Sequence, residues 1–137
     1  MKARNAIPNR VAAAAVFAAA LLSASIPVSA QTDEERAGAR AAATEGAAAM
    51  EQQRWADAID LFTRAESLVH APPHLLYLAR AYEKQGKLVK ARETYAKLTR
   101  ETLPANAPAA FTNAQAEGTT ELAALEPRVP SLRISIK

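Results

Sequence analysis

The chain contains no cysteine. That excludes disulfide bonds, thiol chemistry and thiolate metal sites, so the fold must be held by packing alone. Glycine is scarce, with four residues, and no Gly-rich phosphate loop can be assembled from them. No Gly-x-Ser-x-Gly nucleophile motif is present. Histidine occurs twice, as His70 and His74. Their spacing of four suits a metal pair on one helix, but Pro72 and Pro73 break any helix between them. Asp57 and Asp60 lie beside Arg54 and Arg64, an arrangement for surface ion pairs rather than acid–base work. No catalytic constellation emerges, and the sequence reads as a non-enzyme with no cofactor and no metal.

A long hydrophobic run is also missing. The one apolar stretch, residues 11–22, is shorter than the ~20 residues a spanning helix needs. Lys2, Arg4 and Arg10 precede it, and Val28-Ser29-Ala30 ends a small-residue segment behind it. A charged start, a short apolar core and a small-residue site form the layout of a secretory signal peptide over residues 1–30. Cleavage there puts the mature start at Gln31, in a periplasmic or secreted protein without stable membrane insertion; the alternative is an uncleaved anchor. No Cys follows the run, which excludes a lipoprotein anchor, and no Arg-Arg pair precedes it, which argues against twin-arginine export.

The charge balance follows from this segment. Of 17 basic and 14 acidic residues, residues 1–30 hold three basic and no acidic ones, leaving 14 against 14. The remainder is near neutral and gives no support for nucleic-acid binding, which wants a basic patch on the folded domain.

What is present is one pattern written twice over residues 46–98. Gly46, Trp55, Ala58, Phe62 and Ala65 each recur 33 residues later, as Ala79, Leu88, Ala91, Tyr95 and Leu98. A period near 34 carried by small and aromatic residues marks helix–turn–helix repeats. Ala58 and Ala91 leave room for a neighbouring helix. Phe62 and Tyr95, four residues on, share that face and fill the groove. The pattern resembles tetratricopeptide repeats. Leu75, Leu78, Ala79, Tyr82, Gly86, Ala91 and Tyr95 are of the types that family uses. Leu98 departs, because a small residue is usual there. The first copy carries Ala42, Glu45 and Ala49 where larger apolar residues are usual.

Helix signals frame the repeats. Thr32 and Glu35 form a capping box before an Ala-rich helix ending near Gln52. Gln53 and Arg54 are the turn, and a second helix covers residues 55–69 with Trp55, Ile59, Phe62 and Leu68 available to the core. Pro72 and Pro73 open a third helix, which Gly86 ends. A fourth covers residues 88–101. Asn106 is expected to cap a fifth over residues 107–125, with Phe111, Ala114, Leu122 and Leu125 facing the repeats and Gly118 weakening its middle. The predicted fold is all-α: a solenoid of two units over residues 31–126 with a capping helix. Two units fall short of the ~3 a stack usually needs, so the fifth helix or self-association must complete it.

After Pro127 and Pro130, residues 131–137 alternate apolar and polar, a strand pattern with no partner in a helical domain. Either it opens a β-domain beyond this chain, or it adds to a partner's sheet edge. Repeats followed by such a Pro-bracketed strand resemble exported bacterial proteins with a small β-sandwich of the PEGA type. The tetratricopeptide resemblance implies a concave face, lined by the first helix of each unit, that binds a peptide or partner helix. Matching positions are Arg40, Ala43, Ala47 and Met50, then Leu76, Arg80, Glu83 and Lys84. The expected role is a protein-interaction or assembly scaffold in the bacterial envelope. The alternatives are a passive spacer for a downstream β-domain and, from another class, a small hydrolase or its accessory subunit.

Overall fold

The computed structural model describes residues 31–131. The signal-peptide expectation for residues 1–30 and most of the expected terminal strand, residues 132–137, lie outside these residues. Five helices follow one another: α1 (Asp33–Glu51), α2 (Trp55–Leu68), α3 (Pro72–Lys84), α4 (Leu88–Arg100) and α5 (Ala109–Leu125). A 3-10 turn, Glu126–Arg128, continues α5. Among the described residues there is no strand, and no helix is long and apolar enough to cross a membrane.

The expected capping box opens α1: Glu35 N–H donates to Thr32 Oγ1 at 3.0 Å, and Thr32 N–H to Glu35 Oε2 at 2.7 Å. Asp33, Glu34 and Glu35 meet the positive end of the helix dipole. The α1–α2 and α3–α4 turns then repeat each other. Gln53 and Gly86 both take positive φ, 59° and 79°. Arg54 N–H donates to Ala49 O and Lys87 N–H to Tyr82 O, each at 2.9 Å. These are helix ends closed by a left-handed residue that satisfies the last carbonyls. Glycine does this without strain; Gln53 does it with a Cβ and a cost of roughly 1–2 kcal/mol.

The start of α5 differs from the sequence reading. Asn106 does not cap it but sits in a turn in which Ala107 N–H donates to Pro104 O at 2.9 Å. Pro108, with φ −55° and ψ 143°, is the flanking residue, and the helix begins at Ala109. A residue before proline is pushed out of the helical region, so Ala107 cannot start the helix.

Two apolar clusters share α3. Ala49, Ala58, Ile59, Phe62, Leu78 and Ala81 join α1, α2 and α3. Leu75, Leu76, Ala79, Ala91, Tyr95, Leu98, Ala114 and Leu125 join α3, α4 and α5. Phe62 and Tyr95 are both buried. Trp55 and Leu68, expected in the core, are only half-buried. Close approach rests on missing side chains. A Cβ on Gly46 would lie 3.0 Å from the Phe62 ring. One on Gly118 would lie 2.5 Å from Leu98 Cδ2. Gly118 is therefore not a weak point in α5 but its contact with α4. Leu98, large where the repeat pattern wants a small residue, is fully buried because the glycine opposite supplies the space.

This pairing makes a prediction for unfolding in urea. Gly118→Val should destabilise by about 1–3 kcal/mol through overpacking, and Leu98→Ala by about 2–5 kcal/mol through a cavity. The double variant should be less destabilised than the sum by more than about 0.5 kcal/mol, because the new methyls fill the vacated space. Additive effects would contradict the contact.

Candidate functional site

The inner face of the two units is built from α1 and α3, with α5 closing one end. Met50, Arg80, Glu83 and Lys84 line an open cleft of about 300 Å³ together with Glu121 and Ala124 of α5. Four of the eight expected groove residues thus come together. Arg40 is exposed on α1, and Ala43 and Ala47 are half-buried on the same helix, packed against the first cluster.

Leu76 is a correction. It was expected to face the groove, but it is 3% exposed and belongs to the core of α3, α4 and α5. The reason is α5, which lies over α3 and covers that position. The same helix supplies residues that the sequence reading missed. Glu117 and Glu121 are four apart, so one face of α5 carries two like charges that repel unless a cation meets them. That spacing was the available signal.

Arg80 is that cation. Its Nη2–H donates to Glu117 Oε2 at 2.6 Å and to Glu121 Oε1 at 2.5 Å, and its Nε–H to Glu121 Oε2 at 3.0 Å. Its guanidinium also lies 5.3 Å from the centre of the Tyr77 ring, within reach of a cation–π contact. Tyr77 in turn stacks on Phe62 at 5.3 Å and 10°. Tyr95 O–H donates to Glu121 Oε2 at 2.7 Å. Glu83 accepts from Arg128 beyond α5. Side chains from α3, α4 and α5 therefore meet in one network at the cleft floor.

The electrostatics follow. Hydrogen bonds from Arg80 to Glu121 hold the guanidinium charge firmly against partial burial. Burial, then the hydrogen bond to Glu121, pushes the Tyr95 phenol well above its ordinary range. Burial alone would raise the Glu121 carboxyl, but the bonds from Arg80 and Tyr95 outweigh it and lower it. The shared contacts keep Arg80 charged, Tyr95 protonated and Glu121 ionised at neutral pH, an arrangement that holds three helices together.

The remaining candidates are structural. Arg54 Nη1–H donates to Asp57 Oδ2 at 2.5 Å on the surface. His74 Nδ1–H donates to Val69 O at 3.0 Å. Among the described residues no group of three or more His, Asp or Glu is placed to hold a metal.

Glu121→Gln should lower stability by roughly 1–2 kcal/mol at neutral pH, modest for a charge-assisted pair because the site is partly solvated. A carboxyl lowered in the folded state contributes stability above its unfolded value and loses it as pH falls through the folded one. The gap between wild type and variant should therefore close in acid. Thermal melts with a pH-independent gap would contradict the assignment.

A family model described as tetratricopeptide repeat matches residues 49–116, from the end of α1 into α5. No curated protein and no solved structure matches the chain. Proteins with tetratricopeptide repeats generally mediate protein–protein interaction and are generally not enzymes. Two helix–turn–helix units in one register, with a closing helix partly inside the matched stretch, make this helical region similar to tetratricopeptide repeats.

Proposed function

We propose that the chain is a non-catalytic interaction or assembly scaffold of the bacterial envelope, holding a peptide or a partner's helix on its inner face. The observation that carries this is the open cleft between α1, α3 and α5, with Met50 and Ala124 offering apolar contact and Lys84 an exposed charge. Arg40, Ala43 and Ala47 extend the same face along α1. Arg80 and Glu83 border the cleft already engaged with α5 and Arg128, so they shape it rather than bind by charge. The three-part layout of residues 1–30 supports export to the periplasm or beyond.

A second reading has its own observation. Arg128 pairs with Glu83, and Val129 packs on the core. The helical body thus extends past the Pro127 boundary expected from sequence, and the chain leaves it at a fixed place. A spacer that positions a following β-domain needs that fixed exit. The alternating residues after Pro130 support such a domain of the PEGA type.

The readings separate by capture from envelope extract and by affinity. The scaffold reading expects a partner whose binding weakens about tenfold in an Arg40→Glu, Lys84→Glu chain. Arg64→Glu, an exposed change on α2, should leave binding intact. Equal retention by the inner-face variant would overturn the reading.

A further inference from the structure

Away from the cleft, side chains from three elements gather around His70. It follows α2 in the connection to α3. Its Nδ1 lies 2.5 Å from Glu66 Oε1, in the last turn of α2, and its Nε2 lies 2.8 Å from Glu101 Oε1, just past α4. A neutral imidazole carries one N–H and one lone pair, and an ionised carboxylate only accepts. Both contacts can be hydrogen bonds only when the ring is an imidazolium. In the neutral ring one nitrogen lone pair faces a carboxylate oxygen, and that contact must open.

The surroundings decide which contact opens. Glu66 has other donors: Ala71 N–H at 3.2 Å to Oε2 and Lys97 Nζ at 3.4 Å to Oε1. His74 also faces Glu66, at 3.8 Å, but its Nδ1–H is committed to Val69 O. The Glu101 carboxylate makes no other side-chain hydrogen bond or ion pair among the described residues. Glu66 is thus pinned by other groups in either state of the ring, and Glu101 is the side chain able to swing away when His70 loses its proton. Its backbone is not a free end. Glu101 O and Leu98 O accept from Gln115 Nε2–H of α5, at 2.6 and 3.1 Å.

We propose that His70 is a pH-responsive clasp. As an imidazolium it ties the end of α4 to the α2–α3 connection through Glu101, and on losing its proton it releases that tie and leaves the joint into α5 held by Gln115. Burial opposes the charged ring, but hydrogen bonds and charges from Glu101 and Glu66 outweigh it and raise the His70 value. Lys97 pairs with Glu66 in either state, and Arg92, Arg100, Glu93 and Glu126 line the same cleft as Glu101 without an ion pair to it among the described residues. A raised histidine stabilises fully below its unfolded value of about 6.5, and that contribution is lost as pH rises through the higher folded value. The clasp is thus closed in mild acid and open in base.

The test is an NMR titration of the full chain from about pH 6 to about pH 9, following the His70 ring and the amide exchange of residues 99–107. The His70 midpoint should lie above 6.5. Intrinsically corrected exchange at residues 99–107 should accelerate through that midpoint by up to about tenfold per unit of displacement, while α1 amides do not follow. In Glu101→Gln the midpoint should fall and the pH dependence at residues 99–107 should disappear. A midpoint at or below the ordinary value, one unmoved in Glu101→Gln, or exchange that ignores it would each overturn the clasp. A merely structural His70 would leave residues 99–107 indifferent to its titration.

Discussion

Small residues set against large ones are the constraint on which this structure depends. Two helices approach closely only where one of them lacks a side chain, and interiors packed to crystal-like density leave no slack for compromise. Gly46 opens α1 to the Phe62 ring, and Gly118 opens α5 to Leu98. Ala58, Ala79 and Ala91, each without exposed surface, do the same within the two clusters. Much of the chain is alanine, which favours helix but buries little area of its own. The large contacts therefore fall to Phe62, Tyr95 and the leucines Leu75, Leu98 and Leu125, and the small residues decide where they fit.

A second layer of organisation is polar and belongs to α5. The guanidinium of Arg80, the Glu121 carboxylate and the Tyr95 hydroxyl join three helices at the cleft floor. This network gives the two-unit stack an end and shapes the inner face. It engages Arg80 and Glu83, two of the expected groove positions, in ties within the helical body. The cleft is bordered by α5 as well as by α1 and α3.

The repeat was legible because its signal is local. The 33-residue offset points to the Phe62 and Tyr95 core positions, the prolines and Gly86 to the helix order, and the Thr32–Glu35 spacing to the capping box. The equivalence of Gln53 and Gly86 was hidden, because only one of the two left-handed turns is marked by glycine. Contacts between elements were harder. Gly118 looked like a helix-weakening residue because its partner, Leu98, lies 20 positions earlier and is not in its helix. Leu76 looked like a groove residue because the course of α5 across α3 is set by packing, not by any local pattern. Asn106 looked like a cap, and the proline two residues later overrode it.

The central claim is that α5 completes a stack that two units cannot sustain alone. The most direct measurement compares the full chain with a chain ending at Glu101, by thermal melting followed with circular dichroism and by sedimentation. Removing α5 exposes Leu76, Tyr95 and Leu98 and strips Arg80 of both carboxylates. The shortened chain should lose its cooperative melt or self-associate to cover that face. A shortened chain that stays monomeric and melts cooperatively at the full chain's midpoint would contradict the account.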